Sequence, residues 1–393
     1  EIAAAADRVW LILKKFSLLT VRRQTGTVHR LLGMQLRISM SRRDAVWALG
    51  LCVWAVEQQW TFDAADTSSW APATAVIGHV QAVGKQSLSL FSAPIKSSEA
   101  ADETRDPLTF ELQVRVSALL TQGALFMSMA LSQFEEAREA LEAAQMIQQH
   151  ASAHALATRR PPRLSRPSRS GSRRLLGSSS WVSTQPPPAS TQASETASAP
   201  APASGSCLPS AFAQRLSAVR ALTLETAGKV ARYRGSLAEA EAVLTQALAL
   251  CEASGNTDGE ASTLHELGIV HLRRSDFAAA ELLLRRSLAI KVEQRRAAQS
   301  RSRSGSSSLS RSQSRFSDEA ATMHQLAVVA MSSRPARLLE AEQLLREALA
   351  MEARGPFALG GRAATMQQLA RVCERRGDRA GARQHLDDAL ALH

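Results

Sequence analysis

Histidine and cysteine are the residue types in this sequence that could hold a metal ion or act as nucleophiles. His150 and His154 stand four residues apart, so on a helix both rings would lie on one face, a spacing that suits two metal ligands. No third ligand accompanies them, and we therefore predict no metal site. The four cysteines are scattered without a CxxC pair, which argues against a zinc ribbon or a disulfide framework.

The common catalytic and nucleotide-binding motifs are absent from the sequence. It contains no GxGxxG, no GxxxxGKS or GxxxxGKT, no HExxH and no GxSxG pattern. The pair Gly360–Gly361 is interpreted as a turn between helices rather than as a phosphate-binding loop. We therefore expect a protein that is not an enzyme and that needs no cofactor.

The composition favours helices. Hydrophobic residues make up 45% of the chain but aromatic residues only 4%, and alanine and leucine, both good helix formers, dominate. No long stretch alternates β-branched and polar residues, so strands have little support. The longest apolar run, 45–56, has 12 residues, whereas a membrane-spanning helix needs about 20. The expected fold class is all-α, without a membrane span.

The net charge of +11 is unevenly distributed. Residues 8–43 carry 9 lysines and arginines, residues 159–174 carry 7 arginines and residues 295–315 carry 6, all without an acid. These segments hold more positive charge than the chain's net value, so the rest of the chain is net acidic. A folded nucleic-acid-binding domain would carry basic charge on its own surface, which makes that function a less favoured alternative.

Low-complexity segments divide the chain. Residues 151–210, rich in Arg, Ser and Pro, and 297–317, rich in Arg and Ser, contain too few apolar residues to offset chain entropy, and we predict disordered inserts there. Residues 1–60 are predicted to be a basic and apolar helical segment. An alternative for its VWLILKKF stretch is an amphipathic helix on an anionic membrane. Residues 61–108 are predicted to be a linker.

The helical remainder repeats one pattern five times. A small residue is followed 12 or 14 positions later by a second small residue, which has a leucine four positions after it. Small residues allow two helices to approach to about 8 Å, so each unit is expected to be a helical hairpin. The predicted packing pairs are Gly123 with Ala137, Gly228 with Ala240, Gly268 with Ala280, Ala327 with Ala341, and Ala370 with Ala382.

Turn signals separate the two helices of a unit. Ser132 and Ser236 are each followed three residues later by glutamate, the spacing of a capping box. Gly235 and Gly377 stand where a first helix would end, and Asp378 follows as a helix-starting residue.

This pattern resembles the tetratricopeptide repeat. Its period of about 40 to 42 residues, and phrases such as STLHELGIVH and ATMHQLAVVA, resemble the repeats of kinesin light chains. The resemblance covers one unit in 109–150, two in 211–296 and two in 318–393. Kinesin light chains also have an N-terminal heptad coiled coil. Residues 1–110 show no sustained heptads, so a motor light chain is not expected.

The resemblance implies a superhelical α-solenoid whose concave groove, lined by the first helices, binds a peptide or a partner helix without catalysis. Five basic side chains in this set would favour an acidic or phosphorylated ligand, and two glutamines could bind its backbone. The residues expected to line the groove are Lys229, Arg232, Tyr233, His265, Glu266, Arg273, His324, Gln325, Gln368, Arg371 and Arg375.

Two other functions remain open at this stage. The Arg/Ser segments resemble the arms of splicing factors, so the chain could be an RNA-processing factor, and their serines suit basophilic kinases. Because the chain lacks an initial methionine, we also consider it a fragment, the interaction region of a larger signalling protein or enzyme. A cytoplasmic location is expected, with the nucleus as the alternative.

Overall fold

The computed structural model describes most of the helical part of the chain. The described residues are 19–22, 25–28, 39–64, 66–92, 107–157, 210–302, 309–353 and 359–392. Within them the chain forms twelve α-helices. Their bounds are α1 Arg42–Gln59, α2 Trp70–Ser92, α3 Pro107–Ala130, α4 Phe134–Ala157, α5 Ser210–Arg234, α6 Leu237–Ser254, α7 Thr257–Arg273, α8 Phe277–Ser302, α9 Leu309–Ser332, α10 Leu338–Glu352, α11 Leu359–Arg376 and α12 Arg379–Leu390.

Ten of these helices form five hairpins that stack in chain order. The pairs α3–α4, α5–α6, α7–α8, α9–α10 and α11–α12 each pack together, and every later first helix also packs on the second helix of the preceding pair. A hairpin cannot bury its apolar face alone, so stacking supplies the core. The described helices therefore form the predicted all-α solenoid.

A short strand pair departs from the helical segment predicted for residues 1–60. β1 (Leu19–Arg22) pairs antiparallel with β2 (Thr25–Val28). The two stretches are rich in threonine and valine, whose branched side chains favour extended backbone. The prediction is wrong for these residues, and only α1 agrees with it. The VWLILKKF stretch lies outside the described residues.

The linker predicted for residues 61–108 is wrong for most of its described part, because α2 lies within it. Val76, Val80 and Val83 recur at helical spacing and are buried. The hairpin of α1 and α2 packs on α3 and α4, where it shares one apolar cluster with them. The helix was missed because alanine, serine and glycine interrupt its apolar face.

The second predicted insert, 297–317, is largely helical, since α8 runs into it from one side and α9 from the other. Arg295 of α8 donates to Glu319 of α9 at 2.7 Å, and this carboxylate is wholly buried. The ion pair ties the two helices together beside the insert. Residues 303–308 lie outside the described residues, as do 158–209 of the first insert.

The turns follow the glycine signals better than the serine signals. Gly235 and Gly377 have φ of +89° and +84°, the left-handed conformation that ends a helix, and the Asp378 side chain accepts from Gly381 N at 2.9 Å. The predicted capping boxes are wrong. Ser236 makes no side-chain cap bond, because its hydroxyl accepts from Arg234 instead, and Ser132 has a φ of +55° that does not suit an N-cap.

Candidate functional site

The first helices of the hairpins form the inner wall of the stack. Each of α3, α5, α7 and α9 packs against the next first helix, whereas successive second helices make at most marginal contact. Elements that touch along a curved stack lie on the inside of the curve. The candidate ligand groove is therefore the face built by α5, α7, α9 and α11.

Two of the predicted packing glycines allow the close approach of their own second helix. A β-carbon built on Gly268 would stand 2.6 Å from Leu284 Cγ, and one on Gly228 would collide with Leu244. The second small residues, Ala240 and Ala280, are wholly buried beside these leucines. The glycine thus faces the leucine four positions after the alanine, rather than the alanine itself.

Gly123 serves a different contact from the predicted one. Its β-carbon would meet Val80 Cγ1 at 2.9 Å and Ile77 at 3.4 Å, both in α2, and not the second helix of its own unit. The neighbouring Ala124 is wholly buried in the cluster that contains Ala137. The prediction is wrong here because the α1–α2 hairpin packs where a preceding repeat would.

The fourth and fifth units pack through alanines. Ala327 and Ala341 are wholly buried and share one apolar cluster. Ala370 is 1% exposed and Ala382 4% exposed. The residues of all five predicted pairs therefore lie in the interior of the stack, although Gly123 contacts α2 and not the second helix of its own unit.

Two predicted groove cations are neutralised by acids on their own and on the next first helix. Lys229 Nζ lies 2.7 Å from Glu225 and 3.8 Å from Glu266. Burial would lower the pKa of Lys229, but the charges of these two acids outweigh it and raise the pKa. The ammonium is therefore held in a salt-bridge network that spans α5 and α7.

Arg232 belongs to the same network and is buried. Its Nη2 lies 2.9 Å from Glu266 Oε2, and its guanidinium carbon lies 4.4 Å from the centroid of the Tyr233 ring. The prediction that Lys229 and Arg232 make the groove basic is wrong, because Glu225 and Glu266 compensate their charges.

Arg273 and Arg375 brace one repeat against the next. Each stands five residues after the first packing residue of its unit. Arg273 Nη1 donates to the Arg232 carbonyl at 3.2 Å, and Arg375 Nη1 donates to the Met331 carbonyl at 2.6 Å. Both carbonyls lie in the last turn of the preceding first helix, where a cation is favourable to the helix dipole. Both arginines remain exposed.

The other predicted groove residues make fewer contacts with neighbouring side chains. Arg371 is exposed, and its contact with the Gln368 side chain is long, at 3.5 Å. Gln325 and Gln368 are half-buried on α9 and α11.

His265 and His324 lie on the neighbouring first helices α7 and α9. Each ring is within hydrogen-bond distance of a threonine on the first helix that follows its own. His265 Nδ1 lies 3.1 Å from Thr322 Oγ1, and His324 Nδ1 lies 3.3 Å from Thr365 Oγ1. The sequence predicts both as groove residues, and the insert 297–317 between their units leaves the distance between them undetermined. The structure brings α7 and α9 into contact despite it.

Both histidine rings are neutral near pH 7. Burial lowers the pKa of His324. Burial also lowers the pKa of His265, and the positive charges of Lys291, Lys229 and Arg232 lower it further.

Two charged residues that the sequence analysis did not select stand behind these histidines. Lys291 Nζ donates to Thr322 Oγ1 at 2.8 Å and to the Asp318 carbonyl at 3.0 Å. The Thr365 hydroxyl donates to Glu352 Oε1 at 3.3 Å. Lys291 and Glu352 belong to second helices, and each reaches the first helix that follows.

This arrangement recurs through the stack. Four wholly buried threonines stand five residues before the first small residue of their units: Thr223, Thr263, Thr322 and Thr365. Three of them bond to the residue eleven positions after the second small residue of the preceding unit: Thr223 to Gln148, Thr322 to Lys291 and Thr365 to Glu352. Thr263 has Cys251 at the corresponding position, but its buried hydroxyl has no hydrogen-bond partner among the described residues. The regular threonine spacing is the sequence signal that could have revealed this contact.

Glu352 is a buried acid with a strongly raised pKa. Burial raises its pKa to about 7, although the Thr365 hydrogen bond and the charge of Arg362 oppose the rise. Gly361 lies in the first turn of α11, and its β-carbon would stand 2.9 Å from Glu352 Oε1. The turn predicted for Gly360–Gly361 is wrong, since the glycine makes room for this carboxylate inside a helix.

The described residues hold no group of three or more His, Cys, Asp or Glu side chains placed to bind a metal ion. The His154 side chain lies outside them, so the histidine pair of the sequence analysis is not tested. None of the helices in the described ranges is long and apolar enough to cross a membrane.

Comparison with known proteins agrees with the repeat read from the sequence. Residues 219–291 match the family model of the tetratricopeptide repeat. Residues 219–291 therefore contain tetratricopeptide repeats, and the described helices form an α-solenoid of helical hairpins. A search of the curated proteins by sequence gave no match.

Solved structures of repeat proteins resemble the chain at low identity. BtubC (BKLC) from P. vanneervenii is 13% identical, with 80% of this chain and 90% of that chain covered and a TM-score of 0.46. A Podosopora anserina kinesin light chain candidate with nearly identical TPR-like repeats is 17% identical, with 72% and 93% covered and a TM-score of 0.37. A second structure of the Podosopora anserina protein is also 17% identical, with 73% of this chain and 96% of that chain covered and a TM-score of 0.38.

Proposed function

We propose that this chain is a non-enzymatic scaffold that binds an anionic segment of a partner protein in the groove of its repeats. Tetratricopeptide repeats are generally protein-interaction modules, and their fold is typically non-catalytic. The ligand chemistry is inferred from the groove charges. Carboxylate and phosphate groups share the chemistry that these charges favour, and the experiment below separates them.

The observation that carries the proposal is a set of basic side chains which, within the described residues, donate hydrogen bonds to groups other than carboxylates. Arg273 and Arg375 donate to backbone carbonyls, and Arg371 donates to an amide oxygen. Within the described residues none of the three lies in a salt bridge. Their positive charge is therefore available to a ligand, unlike that of Lys229.

A binding titration with defined peptides tests this function. The full chain is titrated into fluorescein-labelled twelve-residue peptides of alternating serine and glutamate, serine and phosphoserine, or serine and lysine, and anisotropy is followed. We expect both anionic peptides to bind, more weakly at higher salt, and the lysine peptide not to bind. The better of the two anionic peptides identifies the carboxylate or the phosphate as the preferred group.

Charge reversal locates the site. Arg371→Glu should weaken the anionic peptide about fivefold, since an exposed charge interaction is worth about 1 kcal/mol. Arg383→Glu is the matched control, an exposed arginine on the outer helix α12. Equal weakening by both variants, or equal binding of the lysine peptide, would reject the groove as an anion site.

A further inference from the structure

Two junctions of the stack join a charged residue to a groove histidine through a single hydroxyl. In one, Thr322 lies between Lys291 and His265; in the other, Thr365 lies between Glu352 and His324. A threonine hydroxyl has one proton to donate, while its oxygen can accept. The charged residue therefore influences which ring nitrogen of the histidine carries the proton.

At the second junction an ionised Glu352 fixes the direction of both bonds. A carboxylate can only accept, and a charge-assisted bond is the stronger one, so the Thr365 proton points to Glu352. The Thr365 oxygen then accepts, and His324 Nδ1 must carry a proton to donate. A neutral imidazole has one ring proton, so His324 Nε2 is left as an acceptor.

At the first junction Lys291 has the opposite effect, because an ammonium can only donate. The Thr322 proton has two acceptors in reach, the Asp318 carbonyl at 3.0 Å and His265 Nδ1 at 3.1 Å. The Asp318 carbonyl already accepts from Lys291 at 3.0 Å and from the helical amide four residues on. His265 Nδ1 is therefore the free acceptor, and Nε2 carries the proton.

We propose that Lys291 and Glu352 hold His265 and His324 in opposite tautomers, so that neighbouring repeats offer a groove ligand one ring N–H donor and one ring nitrogen acceptor. Lys291, Glu352 and the two threonines are positioning residues, and the two rings contact the ligand. In the described part of the chain neither Nε2 has a hydrogen-bond partner, so both remain free for one.

The partner that fits this pair is an extended peptide segment. Its backbone carries a carbonyl acceptor and an N–H donor at every residue, which complements one donor and one acceptor on adjacent helices. This step rests on the proposed function, since it assumes that a ligand lies along the inner wall. It adds that recognition is partly of the backbone, whereas the exposed arginines recognise charge.

The tautomers can be measured without any ligand. The full chain is labelled with ¹⁵N-histidine, and long-range ¹H–¹⁵N spectra are recorded at about pH 8, where Glu352 is ionised. Protonated and unprotonated ring nitrogens resonate far apart, and His265→Gln and His324→Gln variants assign the two signals. We expect His265 to carry its proton on Nε2 and His324 to carry its proton on Nδ1.

Exchange of the two charges provides the matched test. Lys291→Glu should move the His265 proton to Nδ1, and Glu352→Lys should move the His324 proton to Nε2. Glu352→Met is the mild variant, since it removes a buried charge without adding one. There the Thr365 proton has only His324 left to accept it, and the Nε2–H tautomer is expected again.

The same tautomer on both wild-type rings, or an unchanged His324 in the folded Glu352→Met chain, would overturn the proposal. Because these spectra contain no peptide, that result would leave the anisotropy titrations standing. Conversely, a failure of the peptides to bind would reject the proposed function while the opposite tautomers could still be observed.

Discussion

Leu284 of α8 packs directly on Gly268 of α7, and a β-carbon on the glycine would stand 2.6 Å from Leu284 Cγ. The same leucine is wholly buried and clusters with Leu326 and Val329 of α9. One side chain thus fills the contact inside its own hairpin and is covered by the next repeat. Loss of either contact should therefore weaken the coupling of neighbouring units.

Gly268→Ala should destabilise the chain by about 1–3 kcal/mol, because the added methyl group overpacks a closed contact. Urea unfolding followed by circular dichroism measures the change. Gly78→Ala in α2 is the control: it has nothing within 4 Å of its β-carbon position, and it should be neutral or stabilising by up to about 1 kcal/mol. Similar effects of the two variants would contradict the packing account.

Glu266→Leu should cost about 3 kcal/mol or more, because it leaves the buried Arg232 without its carboxylate. The double variant with Arg232→Met should recover part of that loss, since both buried charges are then removed. Urea midpoints of the single and double variants decide the matter. If the double variant is less stable than Glu266→Leu alone, the two side chains do not act as a pair.

Arg375→Ala should lower stability by about 1 kcal/mol through loss of its bond to the Met331 carbonyl. Arg371→Ala removes a neighbouring exposed cation without such a bond and should leave stability unchanged. Both should weaken an anionic peptide to a similar degree. Melting curves measure stability and peptide anisotropy measures binding, so together they separate the two roles. Equal melting temperatures of the two variants would contradict the bracing role of Arg375.

Glu352 should make stability fall as pH rises. Its folded-state pKa of about 7 lies above the ordinary value of 4.5, so the folded chain holds this proton more tightly than the unfolded chain. The resulting stabilisation is complete below about pH 4.5 and is lost as pH rises through about 7. It amounts to something on the order of 3 kcal/mol.

A Glu352→Gln variant isolates this effect from the other titrating groups. The difference in unfolding free energy between wild type and variant, from urea titrations at about pH 5 and about pH 8, should shift against the wild type at the higher pH. A difference that does not vary with pH would mean that Glu352 has an ordinary pKa.

The repeat itself could be predicted because it depends on the spacing of residues that are close together in the sequence. Gly268, Ala280 and Leu284 recur at fixed intervals, since two helices joined by a short turn can meet only at those positions. The left-handed backbone conformation of Gly235 and Gly377 could also be predicted, because glycine adopts a positive φ more readily than other residues. Both signals lie within one hairpin and need no knowledge of the rest of the chain.

Contacts between segments that are distant in the sequence could not be predicted from it. Nothing near Gly123 indicates that α2 would lie against it, and α2 itself has a weak apolar pattern whose burial depends on α3 and α4. The composition of the Arg/Ser stretch 297–317 does not predict a helix, because the burial of Glu319 against Arg295 depends on two helices meeting.

The sequence alone determined that the chain folds into stacked helical hairpins, since the repeated spacing of small residues lies within one unit. Only the tertiary structure decided how the charged and polar side chains pair. Glu266 comes from a different repeat than the Arg232 it neutralises, and Glu352 reaches His324 through Thr365 on a third helix. Pairing energies depend on distances of a few ångströms across helices, and spacing along one helix does not specify those distances.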